Sequence, residues 1–518
     1  MKYLFVTLLT LLILGSLVTI WTSPDMASDV PVLYWVSDAN PARYEQIKRF
    51  HQWLVDNGYT NPNDPTRPCC ELRLDTSVGS DKSKFIIQGV SGVGGDIMDL
   101  GSAEGDMPYL AEIGMLEDVT EKAKEMGFDP SKTWPAIESE ITILDEDGKR
   151  HQYQFPCNVY TEMLYVNKEL FRKYGMDIPP ETWTFGEFER VGKEFVAKAN
   201  KGKQFQDIFF CGGLELTPMH RSLGLSIFNE TLTRCTVDDP RYARMLNLKR
   251  KWITQDHIMP SEAEVQSFST ASGYSGAGPQ QLFYSGNYAM IALGRWVLIN
   301  LREFGTMDLS LSMPPHGGYP NISLKTRAAT IYKGGKHKDK AMLFLKFLAS
   351  ESYNNHIVED ADAMPPNPAY SLTEEFNHPP QYPNEWGVHE RFARAIREHG
   401  IGSVFSPFIS PATTKRLLKE LEDAHRSDRG TAEELSLIYA DKVNREVERK
   451  LQETPDLRPR YEKMVKLQEK IDQQLAAWKA YELLKAQGKD AAPPAKMSVD
   501  DIPNTFYRRY YKDKGWAE

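Results

Sequence analysis

The sequence predicts an α/β protein built from two lobes. Its 518 residues exceed the roughly 250–300 residues at which a single hydrophobic core stops growing. Strand-like and helix-like segments alternate from residue 30 and begin a second series near residue 151, and such alternation indicates largely parallel sheets covered by helices. Apolar residues make up 41% and charged residues 26% of the chain, which is typical of a soluble globular protein.

The first series of elements occupies about residues 30–150. A β-branched and aromatic run at 30–36 predicts a buried strand, and apolar residues at helical spacing over 43–55 predict the helix that follows it. Further strands are expected at 71–75 and 96–100, each followed by a helical pattern. This order of strand, loop and helix predicts the first α/β lobe.

The second series predicts a similar lobe. Its strands are expected at 163–166, 288–293 and 328–332. Asn167 is expected to cap the helix that begins after the first of these strands. Thr184 and Glu187 have the spacing of a capping box, in which each side chain bonds the backbone N–H of the other residue. These short-range signals predict where two helices of this lobe begin.

Long charged helices dominate the sequence after about residue 365. One of them, at 461–486, carries an apolar stripe at helical spacing. The stripe consists of Met464, Leu467, Ile471, Leu475 and Trp478. We expect it either to dock on the protein's own body or to contact a partner, and the basic aromatic run at 506–511 is a candidate for membrane contact.

The N-terminus has the pattern of an export signal. Lys2 precedes a run without charge at residues 3–21, and a short basic start followed by an apolar run is typical of a signal peptide. The run is also just long enough to span a bilayer as a helix. Residues 1–25 are therefore predicted to be either a cleaved signal peptide or a retained membrane anchor. Both alternatives place the rest of the protein in the periplasm or on the outer face of the cytoplasmic membrane.

Charge and motifs exclude several classes of function. The net charge of −9 argues against a nucleic-acid partner. The sequence lacks HExxH, GxSxG, a phosphate-binding GKS/T loop and any metal-ligand spacing of Cys or His, so we predict no catalytic residue, cofactor or metal. Export permits a disulfide, for which Cys211 and Cys235 are the candidate pair. The alternative is that all five cysteines are small buried hydrophobic residues.

Four segments, in the order 95–119, 164–188, 283–296 and 329–348, carry a family resemblance. The second is the most specific, because LYVNKELFRKYG followed by PPETWTFGEF closely matches the patterns L-x-Y-N-K-x-L-F-x-K-x-G and P-P-x-T-W-x-E-F. With these motifs in order, residues 30–450 resemble the family 1 extracellular solute-binding proteins, the group that contains the maltose-binding protein.

The resemblance implies a periplasmic-binding-protein fold with discontinuous lobes and a helical C-terminal extension. Lobe one would comprise 30–150 and 318–362, lobe two 151–317 and 363–455, and the extension 456–518. The resemblance also implies a receptor that captures a small polar solute, a sugar or oligosaccharide, between the lobes and delivers it to the permease subunits of an ABC importer. The alternatives are a membrane-tethered ligand sensor of the same fold and an exported carbohydrate-active enzyme.

The candidate solute-binding residues follow predicted strands, because ligands lie at the carboxyl ends of strands in open α/β sheets. They are Trp35, Asp38, Asp99, Asn158, Tyr160, Arg295 and Trp296. By the resemblance, Trp296 follows a G-x-W pattern whose Trp stacks on sugar in several family members, and Tyr160 lies in a loop that often contacts ligand. Core packing competes with this role for Trp35, a helix N-cap for Asp38 and a buried ion pair for Arg295.

Overall fold

The computed structural model describes most of the chain: residues 29–40, 42–77, 82–92, 94–101, 106–145, 149–271 and 279–518. The signal peptide or anchor predicted for residues 1–25 lies outside these ranges. Among the helices of the described ranges, none is both long enough and apolar enough to cross a membrane.

Strands and helices alternate, as predicted. The strands are β1 Val32–Val36, β2 Thr60–Asn61, β3 Asp64–Pro68, β4 Glu71–Asp75, β5 Ile97–Gly101, β6 Thr142–Leu144, β7 Arg150–Gln152, β8 Gln154–Tyr160, β9 Met163–Asn167, β10 Phe209–Gly212, β11 Tyr288–Leu293, β12 Leu309–Ser312, β13 Ile322–Ser323, β14 Lys325–Ile331 and β15 Gly400–Ile401. The helices of the first half are α1 Ala42–Asp56, α2 Lys82–Val90, α3 Asp106–Glu112, α4 Thr120–Met126, α5 Glu138–Ile141, α6 Lys168–Lys173, α7 Phe185–Ala199, α8 Leu216–Arg221 and α9 Pro240–Thr254. Those of the second half are α10 Glu262–Ala271, α11 Pro279–Tyr284, α12 Val297–Phe304, α13 Lys338–Leu348, α14 Glu351–Asp360, α15 Glu374–Asn377, α16 Trp386–His399, α17 Pro411–Arg426, α18 Ala432–Glu453, α19 Arg458–Ala486 and α20 Thr505–Asp513.

The first sheet has five strands in the order β4-β1-β5-β14-β8. Strand β1 is parallel to β4 and β5, whereas β14 is antiparallel to β5 and β8. One face packs against α1, α4, α13 and α14 around Phe50 and Phe344. The other face packs against α3 through Met98 and Leu110. Helices therefore cover both faces of the sheet, as the alternation predicted. The expected largely parallel arrangement is wrong, because β14 returns antiparallel to both of its neighbours.

The second sheet has four strands in the order β10-β11-β9-β12. Strand β9 is antiparallel to both β11 and β12. Every residue of β9 is buried, because α7, α9, α17 and α18 cover one face and α11, α12 and α16 cover the other. Burial on both faces explains the continuous apolar run of this strand. The sequence patterns did not predict β10 and β12, which complete the sheet.

The predicted helix starts of the second lobe are confirmed. The Asn167 side chain accepts a hydrogen bond from the Leu170 backbone N–H at the start of α6. Thr184 and Glu187 form the reciprocal capping box at the start of α7. Each pair lies within one helical turn, so its geometry depends only on local sequence.

Within the part of the chain that the structure describes, the backbone crosses between the two sheets in three places. It crosses between β8 and β9, between β12 and β14, and in the segment 361–364 after α14. Strand β8 pairs with β14 in the first sheet, so the expected start of lobe two at residue 151 is wrong by about ten residues. The physical reason is that Phe155 and Cys157 pack into the first core, whereas Leu164 and Val166 of β9 pack into the second.

The C-terminal extension docks on the protein's own body. The apolar stripe buries Ile471, Leu475 and Trp478 in a cluster that includes aromatic residues of α20. The fully buried side-chain amide of Asn504 donates to the carbonyl oxygens of Phe228 at 2.9 Å and Asn229 at 3.0 Å. The first alternative for the stripe is therefore confirmed. Because Phe506, Tyr507 and Tyr511 are buried, those rings are not available to a membrane.

All five cysteines are free, so the disulfide expected between Cys211 and Cys235 does not form. Both thiols are buried in the core that covers one face of the second sheet. Their environment is that of small hydrophobic residues, which was the alternative interpretation.

Candidate functional site

The chain passes from the first sheet to the second where β8, an edge strand of the first, leads into β9, an inner strand of the second. Strand β14 begins at Lys325, opposite Tyr160 at the end of β8. Strand β11 ends at Leu293, opposite Met163 at the start of β9. Only two residues separate β8 from β9. The strand ends of both sheets therefore converge on this crossing, which is where ligands bind in open α/β folds.

Asp99, near the end of β5, is an acceptor in a buried network. Its Oδ1 accepts a hydrogen bond from Trp35 Nε1 at 2.7 Å, and its Oδ2 accepts from Ser37 Oγ and Arg327 Nη1, each at 2.5 Å. Trp35 is fully buried and packs on Phe344 with ring centroids 4.9 Å apart. Its ring has no free face for a solute, so the structure contradicts the expected solute contact at Trp35 and favours the core alternative.

Asp362 is a second buried carboxylate that accepts hydrogen bonds in this network. Arg43 Nη1 donates to its Oδ2 at 2.8 Å, and Asn158 Nδ2 donates to its Oδ1 at 3.2 Å. Arg43 Nε also donates to Asp38 Oδ1 at 2.8 Å. Asn158 is buried, whereas the Asp38 side chain is 54% exposed. Of these two candidates, Asp38 remains accessible to a solute at this edge and Asn158 instead positions Asp362.

Arg295 is a buried structural residue. Its guanidinium donates to the backbone carbonyl oxygens of Ile357 at 3.2 Å, Val358 at 3.0 Å and Ala363 at 2.7 Å, and to His389 Nδ1 at 3.0 Å. Only 1% of the residue is exposed. The expected solute contact at Arg295 is therefore contradicted. Its partners are carbonyl groups at the end of α14 rather than the carboxylate that the alternative named.

Trp296 is partly buried against the second core and lies beside the crossing. A Cβ atom added to Gly294 would lie 2.5 Å from Trp296 Nε1 and 3.4 Å from the Thr161 carbonyl oxygen. The indole therefore lies next to the residue that follows Tyr160. Tyr160 is itself partly buried, and its ring centroid is 6.0 Å from Lys325 Nζ.

Three charged residues that were not predicted from the sequence lie close together at this crossing. Lys325 Nζ and Glu215 Oε1 form an ion pair that joins the start of β14 to the loop after β10. Burial and the charge of Glu215 raise the pKa of the nearby Glu162 to about 7, against the opposing effect of Lys325. Glu162 lies in the two-residue segment between β8 and β9, so the strand-end argument could have included it. Glu215 follows a strand that the sequence patterns did not predict.

Glu162→Gln should flatten the dependence of stability on pH between about 4.5 and 7. The folded protein keeps Glu162 protonated up to about pH 7, whereas the ordinary pKa of this group is 4.5. The folded state therefore binds more protons in this window, and the parent's free energy of unfolding falls as pH rises. At pH 8 the variant should be about 1–2 kcal/mol more stable than the parent in urea unfolding.

Glu194→Gln is the matched control, because Glu194 lies on the exposed side of α7 in an ion pair with Lys198. This control should keep the parent's slope between pH 5 and pH 8. Equal slopes for the parent and Glu162→Gln would show that Glu162 titrates normally.

A cavity of about 560 Å³ opens beside the crossing. Its wall is formed mainly by residues 214–215, α8, the segment 403–406 and α17, and both Glu215 and Lys325 line it. Phe405 also lines the cavity. It is partly exposed and lies outside the core clusters formed by the described residues. The volume is within the range of about 300–1,000 Å³ found for small-molecule sites.

None of the seven candidates from the sequence lines this cavity. Tyr160 is the nearest of them by its contact with Lys325. The residues that line the cavity lie outside the four segments that carry the family resemblance.

Two α/β units joined by crossing segments, with a cavity beside the crossing strands, define a two-lobed binding protein. The sequence pattern of the bacterial extracellular solute-binding proteins matches residues 74–355, more than half of the chain, and the chain belongs to this family. The protein is therefore an exported solute-binding receptor, of a family that binds solutes rather than converting them.

Solved structures share the fold at low sequence identity. An ABC substrate-binding protein from Listeria monocytogenes, in complex with cycloalternan, has a TM-score of 0.65 and 19% identity, covering 80% of this chain and 99% of its own. The GacH receptor of Streptomyces glaucescens, studied with acarbose, has a TM-score of 0.60 and 17% identity, covering 81% and 99%. Maltose-bound MalE3 of T. maritima has a TM-score of 0.60 and 17% identity, covering 80% and 99%.

Proposed function

We propose that the protein captures a small saccharide in the cavity beside the crossing and delivers it to the permease subunits of an ABC importer. The observation that carries this proposal is Phe405, a partly exposed ring on the wall of a cavity that also presents Glu215 and Lys325. An aromatic face suits the apolar face of a sugar ring. Charged and hydroxyl groups beside it suit the sugar hydroxyls.

Other features support the same role. The similar structures named above were solved with cycloalternan, acarbose or maltose, and all of these are saccharides or resemble them. The ion pair between Lys325 and Glu215 joins the two sheets across the crossing. Closure of the lobes about the crossings would bury the solute by a hinge motion.

We extend this proposal to the cellular location of the receptor, the residues around its cavity and the boundaries of its lobes. The receptor acts in the periplasm or, if residues 1–25 remain as an anchor, on the outer face of the cytoplasmic membrane. Tyr160, Trp296 and Asp38 extend the binding surface beyond the cavity, towards the first sheet. Lobe one comprises about 30–160 with 325–360, and lobe two comprises most of the remainder up to residue 455.

Phe405→Ala should weaken saccharide binding by about 1–3 kcal/mol, the scale of losing a stacked aromatic surface. The fold should be unaffected, because Phe405 is outside the core clusters of the described residues. A thermal-shift screen of maltotriose, mannotriose and other small saccharides identifies a ligand, since 100 times its Kd adds about 2.7 kcal/mol of stability. Calorimetry with that ligand then measures the effect of the variant.

Phe205→Ala is the matched control, because Phe205 is 77% exposed and does not line the cavity; it should bind normally. Trp296→Ala tests whether the solute contacts Trp296, as predicted from the sequence. If Trp296→Ala abolishes binding while Phe405→Ala binds like the parent, the solute lies on the Trp296 side of the crossing and the proposed cavity is wrong.

A further inference from the structure

The cavity wall carries more positive than negative charge. Six lining side chains are Lys or Arg and three are carboxylates, in a protein whose net charge is −9. Each carboxylate is already paired with a lysine: Glu215 with Lys325, Glu422 with Lys249, and Asp423 with Lys419. Of the three remaining cations, Arg426 pairs with Glu262. Arg221 and Lys415 have no carboxylate partner among the described residues.

Arg221 is the more informative of these two cations. It is 3% exposed, and its guanidinium donates only to the carbonyl oxygens of Ile401 at 3.3 Å and Gly402 at 2.9 Å among the described residues. Burial lowers its pKa to about 10, with Glu215 and Glu140 acting from a greater distance, so the group is charged at neutral pH. A buried charge without a counter-ion is costly, and a ligand in the cavity that Arg221 lines can supply one.

Helix α17 adds positive potential to the same cavity. Its first residues, Pro411, Thr414 and Lys415, line the wall. The preceding residue, Ser410, makes no side-chain capping bond, and its carbonyl oxygen accepts from the Thr414 N–H. Because Pro411 has no N–H, the first turn presents the N–H groups of Ala412 and Thr413 to a ligand. The amino end of a helix attracts anions through these groups and through the helix dipole. Lys415, the fifth residue of α17, is exposed and lines the same wall, so its charge reinforces that potential.

We propose that the saccharide bound in this cavity is acidic: it carries a carboxylate, sulfate or phosphate group that pairs with Arg221, near Lys415 and the start of α17. This inference rests on the proposed function and narrows its substrate class. Phe405 receives the sugar ring and the cationic part of the wall receives the anionic substituent. Hydrogen bonds between guanidinium and an oxyanion are stronger than those to a neutral hydroxyl, so the site discriminates between acidic and neutral sugars.

If Arg221 has only a structural role, a different experimental result is expected. Its two bonds to Ile401 and Gly402 also tie the end of β15 to α8. If that were its whole role, neutral and acidic saccharides would bind alike, and substitutions at Arg221 would change stability without changing this preference. The exposed Lys415 has no such structural bonds, so it tests the charge of the site separately.

The experiment compares matched pairs of saccharides by calorimetry on the full chain. The pairs are trigalacturonate and galactotriose, sulfated and unsulfated lactose, and phosphorylated and unphosphorylated mannose. We expect the acidic member of at least one pair to bind about 10-fold or more tightly than its neutral counterpart. Its affinity should decrease as sodium chloride is raised, because part of the attraction is screened.

Two variants assign the preference to the named side chains. Arg221→Gln should weaken the acidic ligand by about 30-fold or more and leave the neutral counterpart within about 2-fold. Lys415→Gln should weaken the acidic ligand by about 3-fold and reduce its salt dependence, without affecting stability. Lys466→Gln, on the exposed side of α19, is the matched control and should bind like the parent.

The outcomes separate this inference from the proposed function. A neutral saccharide that binds as tightly as its acidic counterpart overturns the inference and leaves the proposed function intact. Normal acidic-ligand binding by both Arg221→Gln and Lys415→Gln also overturns it. If no saccharide of either kind binds, or if inorganic sulfate or phosphate alone binds as tightly as any saccharide, the proposed function and the inference both fail.

Discussion

Asp362→Asn should lower the free energy of unfolding by about 3 kcal/mol, the cost of breaking a buried ion network by removing one partner. The Asp362 side chain is 4% exposed and receives a hydrogen bond from Arg43 at 2.8 Å. Arg327 Nη2 lies 3.7 Å from the same carboxylate oxygen. The substitution leaves these two guanidinium groups buried with less counter-charge. Urea unfolding at pH 7 measures the loss, because the midpoint should decrease without a change of slope.

The same network predicts how stability depends on acid. Burial alone would raise the pKa of Asp362, but Arg43 and Arg327 outweigh it and hold that pKa at about 2, below the ordinary 3.8. The unfolded state therefore binds the proton first as pH falls. The contribution of the Asp362 carboxylate to the free energy of unfolding is fully present above about pH 4 and is lost as pH decreases through about 2.

The exposed Asp441 on α18 provides the control, because its ion pair with Arg445 is at the surface and should contribute little. Asp441→Asn should keep the parent's stability within about 0.5 kcal/mol. If Asp362→Asn is equally well tolerated, the buried network does not stabilise the fold.

Arg295→Met should lower the free energy of unfolding by about 3–4 kcal/mol, because it leaves several buried acceptors without a donor. The lost bonds are those to the carbonyl oxygens of Ile357, Val358 and Ala363. Two of these carbonyls belong to the last turn of α14, where backbone acceptors have no partner within the helix. Hydrogen exchange should show the largest loss of protection in residues 357–364.

Arg295→Lys keeps the charge but not the planar set of donors, so it should recover only part of the loss. Arg445→Met is the matched control, because the Arg445 side chain is 77% exposed. A solute-binding defect in Arg295→Met without loss of stability would contradict the structural role and restore Arg295 as a candidate contact.

Asp362 and one of the carbonyl groups that Arg295 binds, that of Ala363, both belong to the crossing segment 361–364. Asp362 is bonded on the side of the first sheet, by Arg43, and Ala363 on the side of the second, by Arg295. Ala361 and Ala363 have φ angles of 62° and 66°, in the left-handed region that alanine seldom occupies. Such conformations persist where surrounding bonds enforce them. The conformation of this one crossing segment is therefore held by side chains from both sheets.

The sequence by itself determined the elements whose signals are local. Burial on both faces produced the unbroken apolar run of β9, and residues within one helical turn produced the caps at Asn167 and Thr184. The order of the motifs identified the family before any contact was known. These features depend on neighbours in the chain, so composition and spacing are sufficient to predict them.

Only the tertiary structure decided which strand-end residues are free to meet a solute. Trp35 and Arg295 follow or end strands, as Tyr160 and Trp296 do, yet the first two are buried by partners far away in sequence: Phe344 and Asp99 for Trp35, and residues 357–363 for Arg295. The wall of the cavity joins segments near residues 215, 325, 405 and 415. No periodicity relates such distant positions, because long-range packing, and not local propensity, brings them together.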